Sequence, residues 1–157
     1  MDATYNEYQF HCVNMHPATD NVNFRFQVNA AGASGFDETM TTTYFETYHD
    51  EADSYTFLGY RAGDDQAQGT AYQKILSRQI GNDADQSLSG VLTLYAPSST
   101  TYVKHFTSTG NGYYDSGFTI QAITAGYINT TAAIDEISFK FDSGNIDAGT
   151  IHMYGVG

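Results

Sequence analysis

Alternation with a period of two runs through most of this chain. In Tyr8-Gln-Phe-His-Cys-Val-Asn14, the residues Tyr8, Phe10 and Cys12 share one face of an extended backbone. In Phe24-Arg-Phe-Gln-Val-Asn29, Phe24, Phe26 and Val28 share a face, while Arg25 and Gln27 are expected to point to water. Leu88-Ser-Gly-Val-Leu-Thr-Leu-Tyr95 puts Leu88, Leu92 and Leu94 on one side and Val91, Thr93 and Tyr95 on the other. Further strands are predicted over Thr41–Tyr48, Tyr55–Tyr60, Tyr102–Thr107, Phe118–Asn129, Ile134–Phe141 and Thr150–Tyr154. The last two read as a β-hairpin joined by the turn Asp142-Ser-Gly-Asn-Ile-Asp-Ala-Gly149.

Turn chemistry separates the runs: His16-Pro-Ala-Thr-Asp-Asn21, Ala31-Gly-Ala-Ser-Gly35, Gly110-Asn-Gly112 and Ser143-Gly-Asn145 are clusters of Gly, Pro and Asn. The one helical candidate is Ala71–Gln79, with Thr70 as N-cap and Gly81 just past its end, and the same residues also suit irregular structure. Asp64–Asp85 is the least strand-like stretch and is expected to be a long crossing loop. The predicted fold is all-β: a single-domain antiparallel two-sheet β-sandwich over residues 1–157, jelly-roll-like, with about eight strands and one long mid-chain loop. An immunoglobulin-like sandwich is the second choice; the chain lacks its Cys-Trp-Cys hallmark.

Charge narrows the partners. Six Lys or Arg stand against 18 Asp or Glu, a net charge of -12. Such a surface repels phosphate backbones and anionic lipid head groups, so neither nucleic-acid binding nor membrane insertion is expected. No apolar run approaches the length of a membrane span, and no stretch reads as a secretory signal. The single cysteine, Cys12, forms no intrachain disulfide and reads as a buried small hydrophobe.

Motifs for chemistry are sparse. Asp50-Glu51 with Asp53, Asp64-Asp65, Asp83 with Asp85, and Asp142 with Asp147 cluster carboxylates that suit turns or, alternatively, Ca²⁺, but none follows the EF-hand pattern. No cofactor or metal is therefore assigned. A glycosidase needs two carboxylates held apart at a set separation, and no local motif supplies such a pair. His11, His16, His49, His105 and His152 lack the spacing that puts two ligands on one face, although His105 and His152 lie in strands that are able to meet across sheets. There is no nucleophile elbow and no phosphate-cradling glycine loop. Recognition is the remaining theme. The segment Gly110-Asn-Gly-Tyr-Tyr-Asp-Ser-Gly117 reads as a loop that presents Tyr113 and Tyr114, with Asn111 and Asp115 as polar contacts. Tyr48, Tyr55, Tyr60 and Tyr72 are loop-proximal as well.

Several longer stretches carry a resemblance. They are Gln66-Ala-Gln-Gly-Thr70, Ile80-Gly-Asn-Asp-Ala-Asp-Gln-Ser-Leu-Ser-Gly90, Leu92-Thr-Leu-Tyr-Ala-Pro-Ser-Ser-Thr-Thr-Tyr-Val-Lys-His-Phe106, Ala125-Gly-Tyr-Ile-Asn-Thr-Thr131 and Ser143-Gly-Asn-Ile-Asp-Ala-Gly-Thr-Ile-His-Met-Tyr-Gly155. With His16-Pro-Ala-Thr-Asp20 and His49-Asp-Glu-Ala52, most of the chain resembles a recurring group of uncharacterised marine tailed-phage proteins of the tail-fibre or virion structural type. The resemblance implies a place in the virion rather than a chemistry. It implies a non-enzymatic structural or attachment role, with other virion proteins, a host-surface glycan and further copies of the chain (a homotrimer by default) as partners. It also implies a further β segment ahead of the part matching Asp2-Ala-Thr-Tyr5. Capsid decoration and a jelly-roll carbohydrate-active enzyme are the alternatives.

Overall fold

The computed structural model describes residues 1–157 and contains ten strands and no helix. In chain order they are β1 (Glu7–Pro17), β2 (Phe24–Ala30), β3 (Met40–Asp50), β4 (Thr56–Tyr60), β5 (Gln73–Lys74), β6 (Leu88–Tyr95), β7 (Lys104–Tyr114), β8 (Phe118–Ile128), β9 (Ile134–Phe141) and β10 (Ile146–Val156). Seven form one antiparallel sheet in the order β10-β1-β6-β7-β8-β3-β4; three form a second in the order β5-β2-β9. The two layers make a β-sandwich. Its pairing is nested as in a jelly roll: β1 with β10, β2 with β9, β3 with β8. The meander β6-β7-β8 widens the larger sheet between β1 and β3.

The apolar faces read from the sequence meet in the core. Phe24, Phe26 and Val28 on β2 are fully buried, as are Leu88, Leu92 and Leu94 on β6. Rings bridge the layers: Phe26 lies 4.9 Å from Phe106 of β7, and Phe10 of β1 lies 5.5 Å from Phe139 of β9. Cys12 is buried among them, and that burial pushes its thiol up to about 12.

Four expectations are corrected. The Ile134–Phe141 and Thr150–Tyr154 strands do not form a hairpin. β9 pairs with β2 in the small sheet, β10 pairs with β1 in the large one, and the intervening turn crosses between layers. Asp142 anchors that crossing, accepting bonds from the Asn23 backbone N–H (2.9 Å), its Nδ2 (2.7 Å) and the Arg25 guanidinium (3.0 Å). No helix forms over Ala71–Gln79. The five residues Gln73–Ser77 are all buried, pressed between the layers, whereas a surface helix buries only one stripe. The third correction is Gln27, which does not face water. The crossing segment covers it, and its amide donates to the carbonyls of Glu38 and Thr70 at 3.0 and 3.1 Å. Finally, His105 and His152 do not meet. His105 lies near Tyr127, and His152 is the cross-strand partner of His11.

Candidate functional site

Three glycines shape the inner face of the large sheet. Gly90 and Gly110 are cross-strand partners, and Gly112 lies opposite Leu88 on the next row. Without side chains there, the sheet carries a shallow groove, and the segment Ile75–Ile80 lies in it. A Cβ built on Gly110 would sit 2.6 Å from the Leu76 Cβ, and one on Gly112 would sit 2.5 Å from the Ile80 Cδ1. The segment follows the groove by taking left-handed backbone at Leu76 (φ 67°) and Gln79 (φ 53°), which costs on the order of 1 kcal/mol each. It is held at both ends by β2 and the residues leading into it: the Ile75 N–H donates to the Phe24 carbonyl (3.0 Å), and the Ile80 N–H to the Val22 carbonyl (2.8 Å). This path carries Arg78 to Glu46.

Glu46 is the only buried acidic residue, and its side chain is wholly covered. It faces inward from β3 between two guanidinium groups. Arg78 is bidentate, with Nε to Oε2 at 2.6 Å and a second nitrogen to Oε1 at 2.9 Å. Arg61 donates from Nε to Oε1 at 2.6 Å. Burial alone would weaken the Arg78 charge, but the bonded carboxylate outweighs it and holds Arg78 above its ordinary value. Two cations on one anion leave a surplus positive charge here, in a chain that is otherwise strongly acidic. With every oxygen of Glu46 engaged by guanidinium, that carboxyl is poorly placed to move protons.

Next to this ion triad the small sheet stops short, and the inner face of β3, β8 and the end of β7 opens as a cleft of about 400 Å³. Tyr48, Tyr55, Tyr114, Phe118 and Ile120 line it, with Ser116 and Arg78 as its polar groups. Tyr48 stacks at 18° on Tyr55 and at 20° on Phe57, and Phe57 carries the Arg61 guanidinium 4.1 Å above its ring. Tyr55 is 53% exposed, so its ring is a platform open to solvent. Flat aromatic faces beside a cation and a hydroxyl suit sugar rings, whose C–H faces stack and whose oxygens accept hydrogen bonds.

The four residues singled out from the sequence are close in space but do not form one site. Gly110–Tyr114 is the end of β7, not a loop; only Asp115–Gly117 turns. The glycines that suggested a loop are the groove formers. Because strand side chains alternate, Tyr113 points outward and Tyr114 inward to the cleft. Asn111 and Tyr113 line a separate depression of about 340 Å³ on the outer side, with His49, Glu51 and Thr119. There the Tyr113 hydroxyl donates to Glu51 at 2.8 Å, which raises its pKa, and the Asn111 amide donates to Thr119 at 2.7 Å. Asp115 lines neither space; it accepts from the Ser116 hydroxyl, and its N–H donates to the Gln79 carbonyl. Of the other tyrosines, Tyr48 and Tyr55 join the cleft. Tyr60 bonds Asp65, and Tyr72 bonds Ser138 and lies 3.9 Å below the Lys140 ammonium.

The acidic clusters are dispersed into local bonds. Asp50 accepts from Ser54 and Tyr55, Asp53 pairs with His49 at 3.0 Å, and Asp64 pairs with Lys74 at 2.5 Å. No three His, Cys, Asp or Glu side chains gather into a metal-holding group. No helix is long and apolar enough to cross a membrane. Comparison with protein-family models, with curated proteins and with solved structures finds no match for this chain.

Proposed function

We propose that this protein is a non-enzymatic recognition module of a phage particle, of tail-fibre or receptor-binding type, that attaches to a host-surface glycan. The observation that carries the recognition half is the tyrosine-lined cleft beside the Glu46 triad. It offers an exposed stacking ring, a hydroxyl and a surplus cation in a rigid frame, the combination that holds a saccharide without acting on it. The virion half rests on the resemblance spread over most of the chain. A rigid sandwich with little Lys or Arg also loses little side-chain entropy when it is packed into a particle.

The test is an array of purified bacterial surface polysaccharides, read for retention of the protein and, in parallel, for new reducing ends. Retention that is lost on Tyr55→Ala, with no reducing ends released, is the expected result. Release of reducing ends would replace this reading with that of a carbohydrate-active enzyme. No retention on any polysaccharide would remove the recognition role.

A further inference from the structure

The outer face of the large sheet carries almost no charge. Side chains on its strands alternate between the core and this face, and the burial patterns of β3, β7 and β8 separate the two sets cleanly. Among the strand residues of β1, β6, β7, β8, β3 and β4, the only outward charged one is Glu7, at the rim. The loop carboxylates Glu51, Asp53 and Asp65 reach the far rim, bonded to Tyr113, His49 and Tyr60. One cross-strand row runs His11, Val91, Thr109, Ile123, Phe45 and Tyr60. The rows beside it are built of Thr, Gln, Ser, Asn and Ala, with Leu58 at the β4 end of one. Ile123 is 51% exposed, Phe45 45% and Leu58 80%. A chain with 18 acidic residues has thus kept the centre of its broadest surface free of them, with carboxylates only at the rim.

We infer that this face is a self-association surface, on which two copies stack sheet against sheet. Charge selects the occupant. Two copies of a -12 chain repel each other everywhere except where neither presents a carboxylate. A cationic partner, by contrast, would gain little from a face whose centre holds no acid. Size agrees. Seven strands spaced at about 4.8 Å span roughly 30 Å, and eight residues of strand span about 26 Å. The footprint is on the order of 800 Å², the share each partner contributes to a standard interface. Uncharged, twisted antiparallel sheets pack face to face with their strands within about 30° of each other. A face that meets its own copy is isologous, so the product is a twofold dimer, with Thr109 and Ile123 near its centre. This inference does not depend on the glycan reading, because the cleft opens on the opposite side of the sheet.

Sedimentation of the full chain over a broad concentration range tests it. The expected species has twice the 17.2 kDa chain mass, falls apart on dilution, and strengthens with salt as the general repulsion is screened. Ile123→Asp and Thr109→Asp, which place a carboxylate on each side of the stack, should each give a monomer at every concentration with an unchanged far-ultraviolet spectrum. Thr109→Asp stands in if Ile123→Asp does not fold. A wild-type monomer, a three-chain species, or a dimer that survives both substitutions would overturn the assignment.

Discussion

Tyr113 and Tyr114 are consecutive in the chain, yet the thickness of a β-sheet separates their rings. Tyr113 bonds Glu51 on the outer side, and Tyr114 packs at 5.5 Å against Phe118 in the cleft. The two substitutions are therefore expected to have separable effects. Tyr114→Ala should weaken saccharide binding about tenfold, the equivalent of roughly 1.4 kcal/mol, while Tyr113→Ala leaves it unchanged. Titration calorimetry with a retained polysaccharide fragment reads both.

The glycine groove tolerates no side chain. A methyl at Gly110 would meet Leu76 backbone and Cβ atoms within 2.7 Å, so Gly110→Ala must push the crossing segment off the sheet. The expected loss is about 2 kcal/mol, or about 6 °C in melting temperature. Gly63→Ala, where nothing lies within 4 Å, serves as the neutral control. Equal melting curves for the two variants would show that the segment is not seated as described.

Glu46→Gln removes the charge that two guanidinium groups share. Leaving them buried and unbalanced is expected to cost about 3 kcal/mol in denaturant unfolding. Replacing Arg61 and Arg78 by Met in the same background should recover part of that loss, because no uncompensated cation then remains. A triple variant no more stable than Glu46→Gln alone would argue against charge as the cause.

Acid should destabilise the fold in a defined window. Bonds from Tyr8 and Thr4 lower Asp2 to about 2, and the Ser54 hydroxyl with the Tyr55 N–H lowers Asp50. Burial works against the Asp142 charge, but Asn23 and Arg25 outweigh it and lower that group too. A depressed carboxyl stabilises the fold above its unfolded value of 3.8 and loses that contribution as pH falls through its folded value. Stability should therefore decline from about pH 4 towards 2. Asp142→Asn should flatten the slope, read from unfolding midpoints across that range.

Much of the architecture could be read from the sequence, because burial in a sheet writes itself as alternation. Phe24, Phe26, Val28 and the leucines of β6 announced the core in this way. What failed was whatever depended on distant neighbours. Gln27 alternates as a surface residue and is buried only because Thr70 and Ala71, far along the chain, lie over it. Gly110 and Gly112 looked like a turn because glycine serves both to bend a chain and to make room for another one. β9 and β10 are adjacent in sequence, but nothing local says that their partners, β2 and β1, belong to different layers. At the cleft, Tyr48 and Tyr55 stood out as loop-proximal aromatics. Arg78 and Arg61 did not, since only the long-range path of the crossing segment and the β4 edge brings them to Glu46. One signal was present: Glu46 shares the inward parity of Tyr44 and Tyr48, and an acid on a core face calls for a cation.

The route of the chain after Asp142 divides the molecule unequally. Every residue of β10 except Ile151 is exposed, so this strand adheres to β1 almost wholly through its backbone bonds and buries little grease of its own. It behaves as a strap along the flank of a sandwich that is already complete at Phe141. Its amide protons should be the first of any long strand to trade with heavy water, and it can peel away and re-lay itself while the aromatic interior stays shut.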